Sequence, residues 1–412
     1  MSAATYAWRQ IPGGPRLAVA TLADSECAAL SIYVPAGSRD ETALPAGLAH
    51  FVEHMVFKGT TRRNARELSF EIENSGGQLN ACTTEDHTVY EGRGEADLLP
   101  VLTDVLADMV WHAAFAEVEI DLEREVIGEE ITMYRETPAD HIADLISGAL
   151  WSPHPLGNPI SGTLESIAKI TRKKLLDFRN HHHFRDDLVI AAAGPFTLER
   201  VYELLAPHLP GSFHRANRAL PFAPSASPPQ CVSEARETDQ LQLSLAWHTP
   251  GRHHPLRHAL RLLSLMLGES ASSRLYQELR EERGLCYQIA SDVTLFHETG
   301  AFEVSAGLDP EARDEALACI QREIYDLVAN GPRPGELERA KRLAIAQSKL
   351  GFEATAAHAA WAGEGVMDFD EIPSLAQWRE RIAGVTDAAI QQAASLIFLN
   401  QQPAHAEIGG PL

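Results

Sequence analysis

Two histidines and a glutamate within five residues give this chain its clearest potential for chemistry. His50 and His54 are four residues apart, and Glu53 directly precedes the second histidine. On a helix, residues four apart lie on the same face, so both imidazoles can direct a ring nitrogen at one metal ion. Glu53 lies at the edge of that face, where its carboxylate can reach a water molecule without binding the metal. The spacing H-x-x-E-H therefore predicts two zinc ligands and a general base, in the reverse order of the H-E-x-x-H pattern.

The residues around this motif predict the helix that must carry it. Residues 46–49 and 55–57 are mainly apolar and suited to packing against a core, and Gly59 follows at a position where helices commonly end. We therefore expect a helix across residues 45–57.

A catalytic zinc site with two histidines needs a third protein ligand and an open position. Residues 117–136 form one glutamate-rich segment with the length and pattern of a single helix. Glu123 and Glu130 are seven residues apart, which is two helical turns, so they share a face. Acidic residues are also common on solvated helix faces. Composition alone therefore leaves Glu123, Glu129 and Glu130 open as the third ligand.

Composition limits the class of protein and its partners. A chain of 412 residues with 45% hydrophobic residues is sufficient for two domains, each with a core. The net charge of −22 argues against a nucleic-acid partner. Five scattered cysteines without a C-x-x-C pair predict reduced thiols and a cytoplasmic location. We expect neither a signal peptide nor a membrane span, because no basic segment precedes an apolar run and no apolar stretch reaches about 18 residues.

A proline-rich stretch predicts the division between two domains. Residues 210–231 contain five prolines and read as an exposed linker between domains at 1–209 and 232–412. Residues 30–37 and 243–251 are faintly similar, since each is an apolar strand that ends in a Pro/Gly turn and leads toward a helix. This similarity favours an internal repeat.

Short apolar segments alternate with helical ones along the whole chain. Strands are predicted at 17–22, 28–34, 78–84, 87–93, 188–193, 240–247, 286–295 and 300–306, and further helices at 65–74, 100–114, 198–205, 256–267 and 334–350. Several connections are short enough for hairpins, which imply antiparallel pairing. The predicted fold class is α+β, with mostly antiparallel sheets and helices packed on them.

Several segments together resemble the pitrilysin/insulysin peptidases, the inverzincins. The resemblance is greatest to their two-domain bacterial branch, which is similar to the β-subunit of the mitochondrial processing peptidase. The matching segments are 35–41, 47–55, 76–83, 123–131 and 154–157, with Gly194 at the end of an apolar strand. The resemblance implies that Glu130 is the third ligand of one Zn2+ per chain. It also implies that Glu123 supports the site without binding the metal.

The same resemblance assigns substrate and transition-state contacts. Asn80, Ala81 and Thr83 match the family's substrate-binding strand, to which a peptide adds through backbone hydrogen bonds. Arg280 and Tyr287 match an Arg/Tyr pair, seven residues apart, that faces the zinc in active members. A guanidinium and a phenol can both donate hydrogen bonds to the oxyanion that forms when water attacks a peptide carbonyl.

The predicted function is that of a zinc-dependent endopeptidase in which Glu53 is the general base. The family resemblance implies two homologous domains that form half of a clamshell chamber, so we expect a homodimer or a heterodimer that encloses unfolded peptides. One alternative is a catalytically silent peptide-binding subunit of a heteromeric peptidase, and another is a zinc hydrolase acting on a small molecule. The tract of residues 181–183, three histidines, is not expected to bind metal because no carboxylate or cysteine pattern accompanies it.

Overall fold

The computed structural model describes residues 4–216, 229–399 and 401–410. The strands are β1 Thr5–Gln10, β2 Arg16–Thr21, β3 Cys27–Val34, β4 Gln78–Thr83, β5 Thr88–Glu95, β6 Val189–Gly194, β7 Cys231–Glu234, β8 Leu241–Pro250, β9 Cys286–Leu295, β10 Thr299–Leu308 and β11 Ala404–Ile408. The α-helices are α1 Leu48–Val56, α2 Ala65–Glu73, α3 Leu99–His112, α4 Glu117–Glu136, α5 Pro138–Trp151, α6 Leu164–Ile167, α7 Arg172–His182, α8 Leu198–Leu205, α9 Arg257–Ser264, α10 Arg313–Asn330, α11 Glu336–Gly351, α12 Thr355–Phe369, α13 Leu375–Ala383 and α14 Asp387–Phe398. Within these residues no helix is long and apolar enough to cross a membrane.

The chain forms two compact units, and each takes a segment from the opposite half of the sequence. Unit 1 comprises Met1–Ile131, Pro159–Ala219 and Leu350–Ser374, and unit 2 comprises Thr132–Asn158, Leu220–Lys349 and Leu375–Leu412. The predicted linear domain bounds remain a prediction, and most of the proline-rich linker lies outside the described residues. The predicted two-domain α+β fold is confirmed.

In the part of the chain that the structure describes, the sheet of unit 1 has six strands in the order β1-β2-β6-β3-β5-β4. All neighbours are antiparallel except β2 and β6, which are parallel. β4 is therefore an edge strand. Helices α1, α3 and α8 pack on one face of the sheet and α7 packs on α1, and their apolar side chains contribute to the main core of this unit.

A helix from the C-terminal half covers part of the opposite face. α12 lies across β2, β3 and β6. Gly363 allows this close approach, since a Cβ at that position would lie 2.4 Å from the Tyr33 ring. Arg16 fixes the end of the helix by donating hydrogen bonds to Val366 O and Asp370 Oδ1, both at 2.7 Å. α12 packs on β2, β3 and β6, and the part of the same face formed by β4 and β5 lies next to the helix.

Unit 2 repeats this plan, and its described residues form five strands in the order β7-β11-β8-β10-β9. β7 and β11 are parallel, and the other neighbours are antiparallel. Helices α9, α10 and α14 contribute to a core on one face, while α5, from the N-terminal half of the chain, packs against β8 and β11. Each unit therefore has its own mixed sheet, and a helix from the other half of the sequence packs on that sheet.

Candidate metal centre

Helix α1 carries the H-x-x-E-H motif and is held at its N-terminal end. Leu48, Phe51, Val52 and Met55 recur at helical spacing and are fully buried, which directs one stripe of the helix into the core. At its start, the buried Glu41 carboxylate accepts hydrogen bonds from two backbone N–H groups, those of residues 47 and 49, at 2.9 and 2.7 Å. These bonds satisfy donors that have no partner within the helix.

Three predicted ligands converge at the surface of unit 1. The Nε2 atoms of His50 and His54 are 3.2 Å apart. The carboxylate of Glu130 lies 3.7 Å from Nε2 of His50 and 3.6 Å from Nε2 of His54. Two nitrogen ligands at roughly 2.0–2.1 Å from a tetrahedral zinc ion are about 3.3 Å apart, so this donor set fits zinc. Among the residues described, no other group of His, Cys, Asp and Glu is arranged to hold a metal.

Helix α4 carries all three glutamates that composition left open, and two of them contact the histidines. Glu130 faces the two histidines, whereas the adjacent Glu129 side chain is exposed to solvent. Glu123 is buried two turns earlier, and its Oε1 lies 2.8 Å from Nδ1 of His54. The Glu130 carboxylate therefore lies on the Nε2 side of both histidines. Glu123 contacts the other ring nitrogen of His54, Nδ1.

The Glu123 contact favours one tautomer of the His54 ring. A carboxylate at Nδ1 holds that nitrogen as the donor, which leaves the Nε2 lone pair free to bind a metal. Burial by itself raises the pKa of Glu123, but hydrogen bonds from His54 and Lys58 and the positive charge of Lys58 bring it below its ordinary value. Glu123 is thus an anion at neutral pH.

His50 is also in the form that binds metals. Burial lowers its pKa to about 3, with a further contribution from the neighbouring His54. A neutral imidazole has a lone pair available at neutral pH. Its Nδ1 is buried and has no hydrogen-bond partner among the described residues.

Glu53 lies beside the ligands and is held by the neighbouring strand. Thr83 Oγ1, at the end of β4, donates a hydrogen bond of 2.5 Å to Glu53 Oε2. Burial raises the pKa of Glu53 above its ordinary value, and the Thr83 hydrogen bond opposes that rise. A carboxylate with a raised pKa is a stronger base, as general-base catalysis requires.

The predicted substrate strand is the edge strand β4. Asn80 is exposed, Ala81 is partly buried against the core, and Thr83 is buried with its hydroxyl on Glu53. Asn80 lies on the sheet face left beside α12, where a cavity of about 670 Å³ opens. The cavity is lined by Ala29, Ser31, Glu73, Gly76, Gly77, Gln78, Leu79, Asn80, Glu91, Gly92, Arg93 and Ala356.

Arg280 and Tyr287 both belong to unit 2. Arg280 lies in a π-helical segment, Tyr276–Glu282, and donates a hydrogen bond of 2.6 Å to the Tyr276 hydroxyl. In β9, Cys286 pairs with Leu308 and residue 288 pairs with residue 307, so Tyr287 is the extra residue of a β-bulge. Its side chain is 62% exposed. The role of this pair toward the zinc remains a prediction.

Comparison with known proteins identifies the family. Residues 17–164 match the family described as Insulinase (Peptidase family M16), and residues 169–344 match the Peptidase M16 inactive domain. A protein of Mycobacterium tuberculosis named as an uncharacterized zinc protease is 32% identical over 91% of this chain and 87% of its own length. The chain belongs to peptidase family M16. The motif of His50, Glu53 and His54 and the Glu130 carboxylate fall within the first match, and Arg280 and Tyr287 within the second.

Other similar proteins are consistent with this assignment. A Bacillus subtilis protein, also named as an uncharacterized zinc protease, is 32% identical over 79% of this chain and 80% of its own. The mitochondrial-processing peptidase subunit beta of Pongo abelii is 28% identical over 92% of this chain and 80% of its own, so the predicted resemblance to that subunit is confirmed. A protease structure from Helicobacter pylori has the same fold, with a TM-score of 0.90, 20% identity and coverage of 99% and 100%.

Proposed function

We propose that this M16 protein is a zinc-dependent endopeptidase that hydrolyses extended, unfolded peptides. The observation that carries the proposal is the convergence of His50 Nε2, His54 Nε2 and the Glu130 carboxylate, whose donor atoms all lie within 4.8 Å of one another. Glu53 lies on helix α1 between the two histidines. Two imidazoles, one carboxylate and an adjacent base form the donor set of zinc peptidases.

In this proposal His50, His54 and Glu130 hold one zinc ion per chain. When bound, zinc supplies a Lewis acid that polarises a carbonyl and lowers the pKa of water. Glu53 Oε accepts a proton from the attacking water and later donates a proton to the leaving amine. Thr83 keeps the Glu53 carboxylate in one orientation, and Glu123 does the same for the His54 ring.

The outer edge of β4 is the proposed binding site for the peptide backbone. β4 pairs with β5 on one side, and no strand lies on its other side among the described residues. An extended peptide can hydrogen-bond to such an edge regardless of its sequence. Successive side chains of that peptide alternate between the two faces of the sheet, so every second one points toward the face with the 670 Å³ cavity.

Arg280 and Tyr287 are proposed to stabilise the oxyanion. Both groups are hydrogen-bond donors. Tyr287 is exposed, so a substrate can reach it. We further propose that the working enzyme is a dimer with an identical or homologous subunit. The relative named mitochondrial-processing peptidase subunit beta supports this, since its name describes one part of an assembly.

The second candidate is a catalytically silent peptide-binding subunit. The description "inactive domain" for the match at residues 169–344 favours it. That match contains none of the four residues His50, Glu53, His54 and Glu130, all of which lie in the insulinase match. The complete set of ligands and base therefore favours the active enzyme.

The deciding experiment compares zinc content and peptide cleavage in purified variants. Wild type should contain about one zinc ion per chain and cleave an unstructured peptide library, read by mass spectrometry. Glu53→Gln should retain zinc and lose most activity, because only the base is removed. His50→Ala and His54→Ala should lose the metal. A wild-type protein with full zinc and no cleavage of any peptide would favour the silent subunit, and zinc retained in both histidine variants would refute the site.

A further inference from the structure

Lys58 lies just beyond α1 and contacts a carboxylate of the metal centre. Its Nζ is 2.6 Å from Oε2 of Glu123. The other oxygen of the same carboxylate, Oε1, is 2.8 Å from Nδ1 of His54. Glu123 therefore bridges a lysine and a metal-site histidine, with one oxygen for each.

The spacing of His54 and Lys58 explains how one carboxylate reaches both. Lys58 follows His54 by four residues, and the chain still turns there, because the Lys58 N–H donates to Met55 O at 3.2 Å. Residues four apart on such a turn lie on the same side. Glu123, on the facing helix α4, meets both side chains at once.

The backbone at Lys58 is anchored by the loop that follows it. Gly59 has φ +105°, and a Cβ there would lie 3.1 Å from Arg63 O. The Thr60 N–H donates to Arg63 O at 2.7 Å, and Thr60 Oγ1 donates to Asp108 Oδ2 at 2.8 Å. Asp108 is buried on α3. The lysine therefore projects from a fixed point.

Burial separates this contact from an ordinary surface ion pair. The Glu123 side chain is only 5% exposed, and that of Lys58 is 30% exposed. Exposed pairs contribute little because water solvates both partners, whereas a buried carboxylate needs a compensating partner. Without Lys58, Oε2 of Glu123 would lose its cation, and the carboxylate would be free to turn away from His54.

We propose that Lys58 is a positioning residue for the zinc centre. It holds the Glu123 carboxylate in the orientation that keeps Nδ1 of His54 as a donor and directs Nε2 of His54 toward the metal. It touches neither substrate nor metal. The proposal rests on the zinc site proposed above. In it, Lys58 orients Glu123, and Glu123 orients the ligand His54.

The test measures the zinc dissociation constant of purified variants by competition with a chelator of known affinity. Lys58→Met and Lys58→Gln should each bind zinc about 10–100-fold more weakly, the range for residues that orient metal ligands. Lys58→Arg should restore most of the affinity, since a guanidinium keeps the charge and the donors. The matched control is Lys169→Met, which removes an exposed lysine paired with Glu165 and should leave zinc affinity unchanged.

A double variant tests whether Lys58 acts through Glu123. Because the lysine has no direct contact with the metal in this proposal, Lys58→Met combined with Glu123→Gln should bind zinc as weakly as Glu123→Gln alone. The melting temperature of the metal-free proteins shows whether folding has changed.

Three results would overturn the proposal for Lys58. The first is wild-type zinc affinity in Lys58→Met, which with a lower melting temperature of the metal-free protein would assign the lysine to folding alone. The second is a loss in the double variant that multiplies the two single losses. The third is a Lys58→Arg variant that binds zinc as weakly as Lys58→Met. A wild-type protein that binds no zinc would refute the zinc site itself. Normal zinc binding by wild type and Lys58→Met alike refutes the Lys58 proposal alone.

Discussion

Thr83 Oγ1 donates a hydrogen bond of 2.5 Å to Glu53 Oε2, joining the end of the edge strand β4 to the helix that carries the base. The Thr83 side chain is buried. Thr83 was predicted as a substrate-binding residue from the family resemblance, and its hydroxyl contacts the general-base candidate instead of pointing to solvent. The strand proposed to bind the peptide thus also orients the carboxylate proposed to act on it.

Replacing Thr83 should therefore reduce catalysis without removing zinc. Thr83→Val deletes the hydroxyl with little change in shape, and we expect kcat/KM to fall about 10–100-fold, the effect of losing a hydrogen bond to a charged group. The bond favours ionised Glu53 and lowers its pKa. Its loss should raise that pKa and move the acidic limb of the kcat/KM profile to higher pH. Thr83→Ser, which keeps the hydroxyl, is the control; an unshifted limb in Thr83→Val would contradict the role.

The choice of the third ligand can be tested with neighbouring glutamates. Glu130→Gln should bind zinc far more weakly than wild type, because a neutral amide oxygen is a poorer ligand than a carboxylate. Glu129→Gln should bind zinc normally, since that side chain is exposed and about 100° away around the helix. Glu123→Gln should be intermediate, weakened roughly 10–100-fold. Equal zinc affinity in Glu130→Gln and wild type would place the ligand elsewhere.

Much of the fold follows from apolar patterning. All eight predicted strands occur, because central strands are apolar segments bounded by turns, and residues 286–295 match β9 at both ends. The predicted helices at 117–136 and 198–205 also match their observed bounds. The strands β1, β7 and β11 were not predicted. β1 and β7 lie at sheet edges and are mostly exposed or half-buried, so they carry little apolar signal.

Long-range contacts were less accessible from sequence. Two histidines and a glutamate at fixed spacing predict ligands and a base, but composition and spacing left Glu123, Glu129 and Glu130 as alternatives. The family resemblance selected Glu130, and the packing of α4 against α1 brings that carboxylate to the histidines. Lys58 had a usable signal, since it follows His54 by one helical turn. α5 and α12 each pack on the sheet formed mainly by the other half of the chain. No local sequence pattern indicates this placement, because it depends on tertiary packing alone.

Tyr287 should affect the chemical step and not the metal. Tyr287→Phe removes one donor, and loss of an oxyanion donor lowers kcat about 100–1,000-fold in enzymes that depend on it. Zinc content should remain at the wild-type level. Tyr325 is a suitable control because it is also in unit 2 and highly exposed, so Tyr325→Phe should leave kcat unchanged. A Tyr287→Phe enzyme with wild-type kcat would exclude the hydroxyl from catalysis.

Backbone pairing with β4 predicts an alternating response to N-methylation of the peptide. In a strand pair, every second N–H of an added peptide points toward its partner strand. Methylating those positions should raise KM about 3–10-fold each, the value of one hydrogen bond, and methylating the intervening positions should have little effect. A scan of singly methylated copies of one cleaved peptide provides the measurement. A response without a period of two would argue against strand addition.

The histidines at residues 182 and 183 should make the protein less stable in acid. Both are buried in unit 1, and burial lowers the pKa of His182 to about 2 and that of His183 to about 3. In the unfolded chain each titrates near 6.5, so below that pH the unfolded state binds protons that the folded state excludes. Their contribution to stability is complete above about pH 6.5 and is lost as the pH falls toward 3. Each histidine should cost about 2 kcal/mol between pH 7 and pH 5.

Urea unfolding of the metal-free protein from pH 7 to pH 5 measures this dependence without interference from zinc release. His183→Gln should reduce the slope of unfolding free energy against pH by up to about 1.4 kcal/mol per pH unit, the equivalent of one proton. The total stability of this variant will also fall, because His183 packs in the core, but the slope is independent of that loss. His112 is exposed, so His112→Gln should keep the wild-type slope. An unchanged slope in His183→Gln would mean that His183 is protonated in the folded protein or that the unfolded chain does not take up its proton.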